Sequence, residues 1–424
     1  MKRKIKWKKM AAAAAALCLC LPAPAALARH AADRQSSTVV HTSPVSGSKE
    51  GESRRNIKER IHLLLHPDDT AAAADSERWQ KPSRVMHKLE TTSKDEGGTL
   101  LFSDSPEYVT QDGVLYRDTV EGDARVFYYH LNNTNTDKKL AVVLENEYDG
   151  VNTVRITRGA SGGPSKDYLH VGKTLQMKYF TEPVNDSIIL SRGMSRVLCR
   201  AMNTEKIQPE QLAAGMYDFY ALHPVKVSVV MLPADADPAD AARSLPVLPR
   251  DEIALRGTFK EMNRVIKAAR TYFPERDGIS YFRLGDDKND RFRDGIDATD
   301  GSRVRNIGNY GILYKINIPV YGKSATRVYL SPLGGVYAGA VNLEDSSNRN
   351  RMVPVPQQKG FFGDGAFFDT TNPALDRKDD EVLRTGADLA ELATFGQEQP
   401  VAFEFSPPGA SNLPVHIIFE PVKE

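Results

Sequence analysis

The 424-residue chain carries 56 lysines and arginines, 55 aspartates and glutamates and three cysteines, and its first 28 residues read as a removable export signal. Taking residues 1–28 away removes six of the basic residues and two of the cysteines, leaving 50 basic against 55 acidic side chains and the single thiol of Cys199. That balance excludes an intrachain disulfide and argues against nucleic acid as the main partner, since nucleic-acid binders carry a basic surface.

The signal reading rests on three parts in order. Lys2, Arg3, Lys4, Lys6, Lys8 and Lys9 form a charged start without an acid, an alanine-rich apolar run follows, and Ala26-Leu27-Ala28 offers small residues where a signal peptidase reads. The run is about 18 residues and is broken by Pro22 and Pro24, a poor bilayer span, and no later segment is long and apolar enough to cross. The expected location is outside the cytoplasm: extracellular, on the cell surface or periplasmic.

Residues 29–95 read as a polar tether with possible short helices, because their apolar content is too low to build a core. Within it His62 and His66 stand four apart, a zinc-pair spacing, but Leu63-Leu64-Leu65 lies between them and the segment reads as packing. Residues 99–232 predict a first β-sandwich-like domain. Val114-Leu115-Tyr116, Arg125-Val126-Phe127-Tyr128-Tyr129, Leu140-Ala141-Val142-Val143-Leu144 and Val154-Arg155-Ile156 are short apolar runs separated by turn residues such as Glu121-Gly122-Asp123 and Asp149-Gly150. A helix is expected over 165–179, and strands over 216–220 and 225–232 fit a hairpin around His223-Pro224.

Residues 233–250, rich in alanine, aspartate and proline, read as a linker. A second β-rich domain is expected over 251–424, with strands at 279–284, 311–318, 325–330, 336–341, 401–405 and 415–420. It contains an insertion, 357–396, with Gly360-Phe361-Phe362-Gly363 and a helix expected over 379–392. The fold class is therefore mostly β: two β-sandwich-like domains with a few short helices, behind a flexible N-terminal tether.

Several blocks of the second half form a recognisable set: Arg256-Gly257-Thr258-Phe259, Tyr281-Phe282-Arg283-Leu284-Gly285, Asn309-Tyr310-Gly311-Ile312-Leu313-Tyr314, Leu333-Gly334-Gly335-Val336-Tyr337 and the run 407–414. They resemble exported proteins of Gram-positive-related bacteria, several labelled copper amine oxidase N-terminal domain-containing protein. The resemblance covers residues 99–424 and implies an envelope location and a β-rich build. It implies no amine oxidation. That chemistry needs a tyrosine in an Asn-Tyr-acid context and an H-x-H pair on copper, whereas here Asn309-Tyr310 runs into Gly311 and the chain has no H-x-H.

Three patterns are candidates for chemistry. Asp286, Asp287, Asn289, Asp290 and Asp294 make the densest oxygen-rich loop, and calcium takes six to eight such oxygens. Lys288, Arg291 and Arg293 interleave as counter-charges, so a salt-bridged surface loop is the plainer reading. Gly159-Ala160-Ser161-Gly162-Gly163 matches the nucleophile-elbow pattern, with His170, His223 and His416 later in the chain. A glycine-rich loop explains the same residues. Cys199 reads as a buried, inert thiol. Phe127, Tyr128, Tyr129, Tyr314 and Tyr337 read as core, with an exposed subset of aromatics available to stack on sugar rings.

The expected function is a non-catalytic secreted or cell-envelope protein that binds cell-surface polysaccharide, cell wall or a protein partner, with no cofactor beyond calcium. A secreted hydrolase using Ser161 or the loop carboxylates, and a structural spacer without a ligand, stay open as alternatives.

Overall fold

A computed structural model of the chain describes residues 85–333, 335–344, 349–363, 380–383 and 389–422. The segment expected to be a signal, most of the expected tether and the His62/His66 pair lie outside the described residues. The described chain is mostly β, and residues 82–424 form one compact unit.

The first half contributes β1 (Val85–Lys88), β2 (Thr91–Glu96), β3 (Thr99–Ser103), β4 (Tyr108–Val109), β5 (Gly113–Asn132), β6 (Lys138–Glu145), β7 (Asn152–Ser165), β8 (Asp186–Leu190), β9 (Ser195–Val197) and β10 (Leu212–Pro233). Helix α1 (Tyr168–Thr181) follows β7, and α2 (Pro238–Ser244) follows β10. The second half contributes β11 (Arg256–Phe259), β12 (Asn263–Ala268), the short α3 (Pro274–Asp277), β13 (Ser280–Leu284), β14 (Arg293–Asp297), β15 (Ser302–Asn306) and β16 (Leu313–Ile318). It ends with β17 (Thr326–Pro332), β18 (Gly339–Glu344), β19 (Asn350–Val355), β20 (Asp380–Val382), β21 (Ala390–Phe395), β22 (Val401–Phe405) and β23 (Val415–Pro421).

Among the described residues these strands form three sheets. One runs β20-β1-β13-β23-β17-β21, and another runs β19-β18-β22-β16-β12-β2. The third has 11 strands along β15-β14-β11-β3-β5-β10-β6-β9, with β4 on β5, β7 on β10 and β8 on β7. The two six-stranded sheets share a core: Ile316, Ile318 and Phe403 of one and Leu330, Ile417 and Phe419 of the other belong to one buried cluster.

Strand β5 explains why the halves join. Its side chains alternate, as pleat geometry requires. Phe127 and Tyr129 enter the cluster shared with the six-stranded sheets, while Val126 and Tyr128 enter a second cluster with Val142, Val154, Phe219 and Val229. A strand with a core on each face reads as an unbroken apolar run, and Val126 to Tyr129 is such a run. Arg125, next to it, is fully buried and ties the halves by polar bonds. It donates to both Asp218 oxygens (2.6 and 2.7 Å), to the carbonyls of Met262 (2.8 Å) and Gly311 (3.1 Å), and to Asn263 Oδ1 (3.2 Å).

Several expectations are corrected. The turn-like residues Glu121-Gly122-Asp123 do not reverse the chain, and β5 runs through them for 20 residues. Nor is there a hairpin at His223-Pro224: β10 is one 22-residue strand. Its register against β5 steps from Ala221↔Gly122 to Val225↔Val120, so residues 222–224 bulge opposite Glu121. Both irregularities fall at one level, so the ribbon bends instead of ending. Proline is tolerated there because the bulge needs no ladder donor.

The halves expected on either side of 233–250 share the 11-stranded sheet, through β11 on β3. The segment between them is packed, with Ala241, Ala242 and Leu248 buried in the second cluster. The end of the expected tether is structural too: β1 pairs β13 and β2 pairs β12, with Met86 and Leu89 buried. Where the expected helix over 379–392 is described, strands β20 and β21 stand instead. Helix α1 lies close to its predicted span, with Asp167 capping its start by accepting from His170 N–H.

Candidate functional site

The acidic loop is held by the protein itself. Asp286 Oδ1 accepts the N–H groups of Lys288 (3.0 Å), Asn289 (2.8 Å) and Asp290 (2.9 Å), and its Oδ2 accepts Asn289 Nδ2 (2.7 Å). Burial works against the Asp286 carboxylate, but these donors outweigh it and hold the group below its ordinary range. Asp287 accepts from Phe292 N–H (3.1 Å) and Arg305 (2.8 Å). Asp290 turns inward to Arg264, Gly285 N–H (2.6 Å) and the Tyr314 hydroxyl (2.7 Å). Burial raises its pKa, and Arg264 opposes that. Asp294 is exposed, 3.7 Å from Arg305. The carboxylates are thus taken up by backbone donors, Asn289, Arg264 and Arg305, and among the described residues no three His, Cys, Asp or Glu side chains gather as a metal site needs.

Ser161 lies inside β7, opposite Gly215 of β10. Its hydroxyl bonds the Tyr217 hydroxyl (2.7 Å) and the Tyr128 hydroxyl (3.1 Å). Gly159 has a packing reason: a Cβ there would come within 2.2 Å of the Tyr217 ring. Burial pushes both phenols well above their ordinary range, so they stay neutral donors and cannot act as bases at neutral pH. The histidines are engaged elsewhere. His170 bonds Thr174 (3.2 Å), His223 stacks on Tyr148, and His416 accepts from Arg283 Nε (3.0 Å). The strand–turn–helix elbow expected of the motif is replaced by paired strand. Cys199 is half-buried.

Phe127, Tyr128, Tyr129, Tyr314 and Tyr337 are all interior. The exposed aromatics are different ones, and sequence reasoning missed Tyr148 among them. Tyr148, 39% exposed, lies in the loop joining β6 to β7 and stacks on His223 of the β10 bulge, with centroids 3.9 Å apart and planes 17° apart. The bulge projects His223 out of the ladder. Asn152 fixes it by accepting His223 N–H (3.0 Å) and donating to the His223 carbonyl (2.9 Å).

The loop itself is built around buried Asn146. Its Oδ1 accepts Tyr148 N–H (3.1 Å), and its Nδ2 donates to the carbonyls of Gly150 (2.8 Å) and Leu190 (2.9 Å). Gly150 lies against the ring, where a Cβ would come within 2.8 Å of it. Val151, Ile189, Tyr220 and Leu222 are exposed at the same end, which the pairing of Asn152 with Leu190 and of Val154 with Ala221 brings together. The only sequence signal for this site was Asp149-Gly150, a turn mark, and the His223-Pro224 pair.

No family model matches the sequence, and no curated protein matches it. Solved structures aligned with it include a cupin 2 conserved barrel domain protein from Leptotrichia buccalis, at 10% identity over 82% of this chain and 94% of that one, with a TM-score of 0.13. The PBSX exported protein XepA aligns at 10% identity over 80% and 84%, with a TM-score of 0.14. The Momordica charantia 7S globulin aligns at 10% identity over 80% and 84%, with a TM-score of 0.11. Likeness at this level carries no argument about fold or function.

Proposed function

We propose that this chain is an exported, non-catalytic protein that binds surface polysaccharide through the end of the β5–β10 ribbon where Tyr148 and His223 stack. The observation that supports the reading is the held, exposed ring. The ring keeps a face toward solvent although a buried asparagine, a glycine and the stacked His223 hold it in one pose. Such preorganisation lowers the entropy lost on contact. A flat ring with a polar hydroxyl suits a pyranose, which offers C–H groups on its face and hydroxyls on its rim. Tyr220, Leu222, Val151 and Ile189 extend the contact. The Ser161 site, with two neutral phenols and no base, favours binding over hydrolysis.

Co-sedimentation with purified cell-wall polysaccharide and with peptidoglycan tests the proposal. Wild-type protein is expected in the pellet, and Tyr148→Ala is expected to weaken binding by about tenfold, the loss typical of one well-placed aromatic anchor. Absence of wild-type binding to either material, or unchanged binding by Tyr148→Ala, refutes it.

A further inference from the structure

A second cluster lies away from the aromatic end, where residues 103–109 meet residues 249–256. Asp251 holds the two segments together. Its Oδ2 accepts Glu107 N–H (2.9 Å), and its Oδ1 accepts the Ser105 hydroxyl (2.8 Å) and the N–H groups of Ile253 (3.2 Å) and Ala254 (3.0 Å). Asp104 is the odd member: its Oδ1 is out of contact with solvent and has no hydrogen-bond partner among the described residues. Asp104 is tied in by its backbone, its N–H donating to the Leu255 carbonyl (3.0 Å), so three acidic residues lie on one pair of joined, half-buried segments.

Among the described residues, the nearby cations are engaged elsewhere: Arg250 pairs with Asp297 (3.5 Å) and Asp300 (3.2 Å). Arg256 reaches the Ser105 carbonyl (3.3 Å), but its other N–H groups are used on Asp297, Thr299 and the carbonyls of Leu115 and Leu248. His130, from the end of β5, bonds the Pro106 carbonyl (2.9 Å) and the Ser103 hydroxyl (2.8 Å), and burial lowers its pKa to about 4, so it is neutral above that. From the α1 side come Tyr168 and Lys166, the latter paired with Glu210 (2.6 Å). Burial, then the neighbouring acids, raise Glu107 to about 7 and lift Asp104 well above its ordinary range.

We propose that Asp104, Glu107 and Asp251 form a proton-operated latch between residues 105–107 and 251–254, beside the β3–β11 ladder, closed in acid and released as the pH rises. With Asp104 and Glu107 neutral, the bonds to Asp251 form without repulsion from either neighbour. On ionisation, three like charges share a site that water reaches poorly, and the Glu107 N–H and Ser105 hydroxyl bonds to Asp251 are the ones that must stretch.

The sign follows from linkage. An acid whose folded pKa stands above its unfolded value costs stability as the pH climbs from the unfolded value toward the folded one. For Glu107 that window runs from 4.5 to about 7. Thermal melts of the full chain between pH 5 and pH 8 test the latch, comparing wild type with Glu107→Gln and with Asp104→Asn/Glu107→Gln. Wild type is expected to lose about 2–4 °C more than either variant across that range. Amide exchange at residues 105–107 and 253–254, corrected for its intrinsic pH dependence, is expected to accelerate with pH in wild type and not in Glu107→Gln. Identical pH profiles overturn the proposal. So does calcium restoring the wild-type Tm at pH 8 but not that of the double variant, because the carboxylates would then serve a cation.

Discussion

At the scale of single residues, Arg125 ties the two halves together. It is a buried cation with all its donors occupied, and Tyr179 adds a 2.9 Å bond to the same Asp218 carboxylate. Removing one partner of such a pair leaves an uncompensated charge, so Arg125→Ala is expected to cost about 3–5 kcal/mol. Urea unfolding measures it, and a double variant Arg125→Met/Asp218→Leu should recover part of the loss. Ser161 stands in contrast. Its hydroxyl only bridges two phenols, so Ser161→Ala is expected to cost about 1 kcal/mol, and a fluorophosphonate probe should leave Ser161 unlabelled. Labelling of Ser161 would restore the hydrolase reading.

The β5–β10 ribbon sets both the core and the proposed contact surface. Its inner residues pack on two sides, so Phe127→Ala is expected to cost about 3–5 kcal/mol. Tyr220, 40% exposed on the same ribbon, should change stability by no more than about 0.5 kcal/mol when cut to alanine. Chemical denaturation of both variants separates core from surface. Reversed magnitudes would mean that the two faces of the ribbon are misassigned. Periodicity found these strands but not their continuity. Glu121-Gly122-Asp123 and His223-Pro224 have turn chemistry, and a short-range reading cannot tell a reversal from a bulge. The difference is made by the partner strand: each irregularity has the other opposite it, so the ladder resumes beyond both.

At the scale of the whole molecule, residues 82–424 are one compact unit with a sheet running through both halves. The expected result is a single cooperative unfolding step for this unit, with coincident transitions by fluorescence and circular dichroism. Two separated steps would show that the halves unfold independently. Millimolar calcium or EDTA is expected to leave the Tm unchanged, because the carboxylates of the 286–294 loop are already answered by Arg264, Arg305 and backbone donors.

The sequence by itself determined what depends on neighbours along the chain: β-rich character, the α1 span, most strand positions and the acidity of the 286–294 loop. The counter-charges that hold that loop were partly visible as Lys288, Arg291 and Arg293, although Arg264 and Arg305, which make the decisive pairs, are distant in sequence. Only the tertiary structure decided that the halves share a sheet, because β11 on β3 and Arg125 on Gly311 join residues more than a hundred positions apart. The same holds for the stacked Tyr148–His223 pair and for the meeting of Asp104, Glu107 and Asp251. Each is made by a long-range approach of segments that look like ordinary turns. Local preferences fix what a segment can become, and packing fixes what it touches.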